Sequence, residues 1–140
     1  MEFFNEHSAD AGRSFGKIDM YHPVIKPVAD MARSFGNAIF VRKGISDIIT
    51  DGREAYFVCE EGSFKRCGGI GDILAGTIAS FNQFPREQLM YSGQVLDLQI
   101  DKDLANSKLC PSVLAAVCLR KAARSAFYRK RHALVCTDIF

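Results

Sequence analysis

The stretch KRCGGIGDILAG, residues 65–76, joins a glycine-rich loop to the start of an apolar helical pattern. Glycines at positions 68, 69 and 71 can adopt a positive φ and turn their backbone N–H groups toward one point. Such a concave row of donors at a helix N-terminus binds phosphate or a developing oxyanion, and the positive end of the helix dipole strengthens the binding. The stretch therefore predicts an anion-binding loop that leads directly into a helix.

The charged residues of this stretch have opposite consequences for a bound anion. Lys65 and Arg66 lie just before the glycines and can add positive charge, whereas Asp72 opens the predicted helix with a carboxylate that repels an anion. One interpretation makes Asp72 the N-cap of the helix, where Asp is among the preferred residues. The other makes it a general base that takes a proton from a hydroxyl about to attack a phosphoryl group. The local pattern leaves both open, since one carboxylate can serve in both ways.

Other chemistry that a glycine-rich or cysteine-containing loop could carry does not fit the sequence. A P-loop needs Gly-Lys-Ser/Thr after its glycines, and here Asp72 follows Gly71. A dinucleotide-binding fingerprint begun at Gly69 needs a small third residue at position 74, which is Leu74. Cys67 has no histidine near it in sequence, so a packing role is favoured over that of a nucleophile.

Short strands and helices are predicted on both sides of the loop. Apolar residues at helical or strand spacing, with proline and glycine at the boundaries, locate most of them. The predicted elements are a helix from Pro27 to Gly36, strands at 38–41, 47–50 and 55–59, a hairpin turn at Asp51-Gly52, a helix from Asp72 that stops before Pro85, and a helix from Pro111. Residues 86–109 remain unassigned, and residues 133–136 read as a last strand or a packed tail. The order predicts part of an α/β sheet.

Composition favours an intracellular globular protein. The chain has 140 residues, 48% of them hydrophobic and 24% charged, and its net charge of +2 is too small to indicate nucleic acid or membrane as a partner. No apolar run approaches the roughly 20 residues that span a bilayer, and the start MEFFNEHSAD resembles no targeting segment. The five cysteines show no Cys-x-x-Cys spacing, so reduced thiols are favoured over a metal site. The basic stretch from Arg120 to His132 is predicted to be a solvated helix face.

Two motifs of this chain resemble those of one enzyme family. Residues 66–72 are similar to the Arg-Cys-Gly-Gly-Gln-Gly-Asp signature of the ATP-dependent (S)-NAD(P)H-hydrate dehydratases. The form of the loop with a cysteine at position 67 resembles that of the eukaryotic members more than that of the bacterial ones. Residues 43–52 are similar to the family's Lys-Gly-x-x-Asp-x-Ile-x-x-Gly segment. The order and spacing of the two motifs agree with the family, as does the closing Thr137-Asp138-Ile139. One departure is Ile70, where the family usually has Gln.

The resemblance implies a fold, a reaction and two cofactors. The family has a ribokinase-like three-layer α/β sandwich that is longer than this chain. Residues 1–140 then form the C-terminal part of one such domain, without its N-terminal half. The implied reaction is the ATP-dependent dehydration of the S form of hydrated NADH or NADPH (NADHX, NADPHX), with Mg²⁺ on the phosphates. The compartment is then the cytoplasm or the mitochondrion. A sheet that lacks its other half exposes a strand edge with unpaired backbone groups, which can pair with a second copy of the chain. A homo-oligomer is therefore a further expectation.

The same resemblance implies roles for individual residues. Asp72 is implied to be the catalytic base and to contact the substrate. A second part of the substrate site is implied at the chain start, in Met1, Glu2, Phe3, Phe4 and Asn5. The residues implied to border ATP are Lys43, Gly44, Ile45, Ser46, Asp47, Gly62, Ser63, Phe64, Lys65, Arg66, Cys67, Gly68, Gly69, Ile70 and Gly71. No residue is implied to bind a metal directly.

Two alternatives to a working dehydratase remain open. A truncated nucleotide-binding fragment without catalysis is favoured by Ile70 and by the length of the chain. A small RNA-binding domain is supported only by the positive charges of residues 120–132, whose interleaved alanines offer no stacking surface for bases.

Overall fold

A computed structural model describes residues 13–139 of the chain. These residues divide into two compact units. The first comprises residues 13–59 and 107–109, and the second comprises residues 60–106 and 110–139. Within the described residues, no helix has both the length and the apolarity that crossing a bilayer requires.

The first unit is built on a four-stranded antiparallel sheet. Its strands are β1 (Phe15–Ile18), β2 (Phe40–Arg42), β3 (Asp47–Thr50) and β4 (Ala55–Val58), in the order β1-β4-β3-β2. Every residue of β3 and β4 is buried, and the core of the unit is formed by Ile18, Ile25, Ile48, Ala55 and Phe57. Helix α1 (Lys26–Ser34) follows β1, with Pro27 in its first turn, where the missing proline N–H costs nothing.

The hairpin between β3 and β4 confirms the predicted turn. Gly52 has φ +82, and its N–H donates to Thr50 Oγ1 over 3.0 Å. Asp51 Oδ1 accepts the N–H groups of Arg53 at 2.8 Å and Glu54 at 3.0 Å. Glycine adopts this φ without strain because it has no side chain. A side chain at position 52 would, in addition, approach Arg33 too closely.

The second unit is helical. It contains α2 (Ile70–Phe81), α3 (Arg86–Val95), α4 (Lys102–Asn106) and α5 (Cys110–Lys130), and α2 packs on α5. Helix α5 is buried on all sides from Ser112 to Val117, so its apolar surface is wider than the single stripe that the sequence predicts. Short 3₁₀ turns at Arg131–Ala133 and Cys136–Asp138 follow it, so the chain ends in a packed tail rather than a strand.

Sheet and helices together confirm the predicted mixed α/β class. Helix α2, however, begins at Ile70, two residues before the predicted start at Asp72. Its slim face of Ala75, Gly76 and Ala79, which the sequence suggests for close packing, is exposed in the structure.

Candidate functional site

The glycine-rich loop of the second unit is held at its start by cations of helix α5. Arg120 Nη1 donates to the carbonyl oxygen of Glu60 over 3.0 Å, and Arg124 Nη2 lies 2.9 Å from the Glu61 carboxylate. Lys121 Nζ lies 4.0 Å from the Glu60 carboxylate. This basic side of α5 therefore anchors the loop, whereas the sequence suggests only a solvated face.

The middle of the loop, residues 62–65, is fixed by its own side chains. Ser63 Oγ donates to the Lys65 carbonyl oxygen at 2.7 Å and accepts the Lys65 N–H at 3.1 Å. Lys65 Nζ donates to the carbonyl oxygen of His132, and the Phe64 ring packs edge-on against Phe127 with ring centroids 5.7 Å apart. The Lys65 ammonium thus holds the loop to the tail, and Arg66 is the exposed cation beside the glycines.

The tip of the loop is exposed backbone with little side chain. Gly69 has φ +87, a conformation that favours glycine, and a β-carbon on it would lie 3.2 Å from Cys136 Sγ. Gly68 and Gly71 have no positive φ, and a β-carbon on either would meet nothing within 4 Å. The fold therefore requires glycine at position 69, whereas at positions 68 and 71 it leaves open space above the backbone.

Helix α2 begins at this tip without a side-chain cap. Gly69 is the N-cap, and no side chain among residues 13–139 caps the first turn by a hydrogen bond. The N–H groups of Ile70, Gly71 and Asp72 have no intrahelical acceptor, because the first hydrogen bond of the helix runs from Ile73 N–H to the Gly69 carbonyl oxygen. Three backbone donors and the positive helix end thus converge beside open space, as an anion site requires.

Asp72 lies in the first turn of α2, and the N-cap interpretation of this residue is wrong. The N-cap is Gly69, whose left-handed conformation ends the loop three residues before Asp72, and the helix starts at Ile70. The Asp72 side chain is exposed and has no hydrogen-bond or ion-pair partner among residues 13–139. A carboxylate at this position interacts favourably with the positive end of the helix dipole and so stabilises the helix. Both of its oxygens remain available to accept a proton.

The tail contributes Cys136 to the surroundings of the loop. Partial burial raises the pKa of the Cys136 thiol, and contact with Cys67 and the charge of Asp72 raise it further. A segment more than sixty residues from the loop in sequence thus forms one wall of the loop tip. No local pattern around Cys136 indicates this position.

The second predicted ATP-binding segment, Lys43 to Asp47, is a turn of the first unit. Asp47 is fully buried at the start of β3, where Oδ2 accepts from Lys43 Nζ over 2.8 Å and Oδ1 accepts from the Gly44 N–H over 3.1 Å. Ile45 is exposed at the tip of the turn. The buried Asp47 carboxylate therefore holds the turn through these two hydrogen bonds. The backbone around the exposed Ile45 is the part of the turn that a ligand can reach.

We expect Asp47→Ala to lower the free energy of unfolding by about 1–3 kcal/mol, because the Lys43 ammonium and the Gly44 N–H lose the buried carboxylate that accepts from them. Asp30→Ala is the matched control, since Asp30 forms exposed ion pairs with Lys26 and Arg33, and its loss should cost much less than that of Asp47. Urea denaturation of both variants measures the difference. Equal losses would mean that Asp47 does not hold the turn.

The structure thus groups part of the predicted site. Residues 62–72 lie together in the second unit, and residues 43–47 lie together in the first. The predicted substrate segment, residues 1–5, lies outside the described residues. Among residues 13–139, no cluster of three His, Cys, Asp or Glu side chains is arranged to hold a metal ion.

Comparison with known proteins agrees with the two motifs. A family profile described as NAD(P)H-hydrate dehydratase matches residues 15–137. Similar proteins named ATP-dependent (S)-NAD(P)H-hydrate dehydratase include one from Vitis vinifera, 36% identical over 78% of this chain and 29% of its own length. Others come from Heterostelium pallidum (33% identical, 94% and 32% covered) and Schizosaccharomyces pombe (35% identical, 74% and 31% covered). The chain therefore spans about a third of the length of these relatives.

Proposed function

The chain belongs to the NAD(P)H-hydrate dehydratase family, and we propose that it supplies the phosphate-binding loop and the catalytic base of an ATP-dependent dehydratase. The substrate is the S form of hydrated NADH or NADPH, and the product is the repaired dinucleotide. The observation that carries the proposal is the start of α2. Within residues 13–139 it combines backbone N–H groups without an intrahelical acceptor, open space above Gly68 and a carboxylate at Asp72 without a partner.

The loop tip acts on the phosphates of ATP. The N–H groups at the start of α2 stabilise the negative charge of the transferred phosphoryl group, and the exposed Arg66 adds a positive charge nearby. The absence of side chains at Gly68 and Gly71 lets a phosphate approach the backbone closely. The remaining loop residues, from Gly62 to Cys67, together with Ile70, are proposed to border the nucleotide. The turn at residues 43–47 of the first unit is proposed separately as an ATP-binding segment.

Asp72 acts on the substrate hydroxyl. It takes the proton as the hydroxyl oxygen bonds to the γ-phosphorus and ADP leaves. Phosphate is a better leaving group than hydroxide, so its departure with a ring proton restores the double bond of the nicotinamide ring. A base for this step must lie near the loop tip and be free to accept a proton. Asp72 lies in the first turn after that tip, and its side chain has no partner among residues 13–139. Residues 1–5 are proposed to contact the substrate.

Magnesium is proposed to enter with ATP rather than to occupy a protein cage. Mg²⁺ is commonly held by substrate phosphates and few protein ligands, which suits a described chain without a cluster of metal-binding side chains. When bound, the ion neutralises phosphate charge.

A direct test of the loop uses a completed protein. This is a chimera in which the chain replaces the matching segment of the Heterostelium pallidum relative, which aligns over 94% of the chain. We expect Gly68→Ala to weaken ATP binding at least tenfold, about 1.4 kcal/mol, because the methyl group occupies the space over which a phosphate must approach. The dissociation constant is measured by ATP-dependent melting-temperature shifts.

Gly36→Ala is the matched control for this substitution. Gly36 also has open space around it, and it lies outside the predicted ATP-binding segments. Its positive φ of +70 means that alanine costs stability without changing ATP affinity. If Gly68→Ala and Gly36→Ala bind ATP as tightly as the parent, the loop tip is not the phosphate site.

A nucleotide-binding fragment without catalysis is the second candidate. Ile70 favours it, because this first residue of α2 has an apolar side chain where the family usually has an amide. The two candidates differ in turnover and agree in ATP binding. A completed protein that binds ATP yet does not repair the hydrate would select the second.

A further inference from the structure

Two cysteines meet at the tip of the glycine-rich loop. Cys136, in the 3₁₀ turn of the tail, places its Sγ atom 3.2 Å from the position that a β-carbon on Gly69 would occupy. Cys67 lies two residues before Gly69 in the same loop. Both thiols are free and half-buried, so small solutes can reach them. The tail sulfur thus lies beside Gly69, two residues after Cys67 in the loop.

The electrostatics of Cys136 agree with this placement. After partial burial, contact with the Cys67 side chain is the next cause that raises the pKa of the Cys136 thiol. The Cys67 and Cys136 side chains are therefore neighbours, and no disulfide joins them.

The other three cysteines are less suited to oxidation. Cys110 is buried, and burial raises the pKa of its thiol to about 11, so it is a poor source of the reactive thiolate. Burial raises the pKa of Cys118 as it does that of Cys136, so the pKa does not separate these two thiols, whereas the position of Cys136 beside Gly69 does. Cys59, in the first unit, donates its thiol hydrogen to the Arg13 carbonyl oxygen at 3.2 Å. Within the second unit, Cys67 and Cys136 are the pair that combines partial exposure with proximity.

We propose that Cys67 and Cys136 form a redox modification site, in which a hydroperoxide converts the two thiols into a reversible disulfide. One thiolate attacks a peroxide oxygen, which gives a sulfenic acid and, after protonation of the leaving oxygen, water or an alcohol. The second thiolate then attacks the sulfenic sulfur, so that the S–S bond forms, the S–O bond breaks and water leaves. Each disulfide thus removes two hydrogens from the protein and reduces one peroxide.

The disulfide would tie the loop to the tail immediately before Gly69. The Lys65–His132 hydrogen bond already joins the same two segments. The S–S bond would thus add a covalent link between two segments that are already joined.

The test uses the full 140-residue chain and hydrogen peroxide. After brief treatment, free thiols are alkylated and the protein is digested and analysed by mass spectrometry. We expect the intact mass to fall by two hydrogens and a peptide pair joined through Cys67 and Cys136 to appear. Dithiothreitol should restore the starting mass, as expected of a disulfide.

Serine variants separate this pair from the other thiols. Cys67→Ser and Cys136→Ser should each abolish the intramolecular cross-link, whereas Cys118→Ser should retain it in full. A parent protein that forms only sulfinic acids, a linkage through Cys59 or a dimer between chains would overturn the proposal. The assay contains no nucleotide, so its result is independent of whether the loop binds ATP.

Discussion

Replacing Asp72 by Asn is expected to lower the ATP-dependent turnover of the completed protein by about 10²–10⁴-fold, the usual contribution of a general base. Asn keeps the size of the side chain and cannot take the hydroxyl proton. Because the Asp72 carboxylate is exposed and has no partner in the described chain, its loss should cost no more than its interaction with the helix dipole, about 0.3–1 kcal/mol. ATP affinity should stay equal or rise slightly, since a negative charge near the phosphates disappears.

The control for Asp72→Asn is Glu87→Gln. Glu87 is an exposed carboxylate in the first turn of α3, so like Asp72 it lies near a helix N-terminus, but without the glycine-rich loop. Both variants should melt close to the parent, and only Asp72→Asn should lose turnover. If both keep their turnover, Asp72 serves the helix dipole alone and the base is another residue.

The second large effect is expected from Gly69→Val, which should abolish detectable ATP binding. Valine resists the φ of +87 that position 69 adopts, because its branched side chain restricts the backbone further than alanine does. Its β-carbon would also lie within 3.2 Å of Cys136 Sγ. The loop tip must then change conformation, and the donors at the start of α2 lose their common direction. Strain of this kind costs about 1–3 kcal/mol.

Gly36→Val separates lost binding from lost stability. Position 36 has a similar φ of +70, and open space surrounds it in the turn after α1. Both variants should therefore melt below the parent, while only Gly69→Val should lose the rise in melting temperature on adding ATP. ATP stabilisation of Gly69→Val equal to that of the parent would mean that this loop geometry does not bind the phosphates.

Local sequence was sufficient where backbone chemistry alone decides structure. Strand β3 has its predicted bounds because its apolar run is closed by Asp51-Gly52, whose hairpin preference is intrinsic to the backbone. The start of α2 was predicted two residues late, since Asp72 is a good capping residue and the φ of Gly69 cannot be read from its type. Helices α3 and α4 were missed because each buries few residues, Leu89 and Gly93 in α3 and Leu104 in α4.

The contacts that hold the glycine-rich loop in place come from residues far from it in sequence. Arg120, Arg124 and His132 hold the loop from about sixty residues away, and Cys136 forms a wall of its tip. Such contacts appear only when α5 folds along α2. The sequence motif predicted which backbone would meet a phosphate, and the structure adds what keeps that backbone in place.

ATP-dependent repair by the completed protein is the measurement that tests the central claim most directly. Hydrated NADH is supplied with and without ATP, and the absorbance of the reduced nicotinamide ring is followed over time. We expect the absorbance of the reduced nicotinamide ring to return only with ATP, and ADP to appear at the same rate. A completed protein that folds and binds ATP, yet leaves the hydrate unchanged while its Heterostelium pallidum parent repairs it, would contradict the claim that this chain supplies a working catalytic loop.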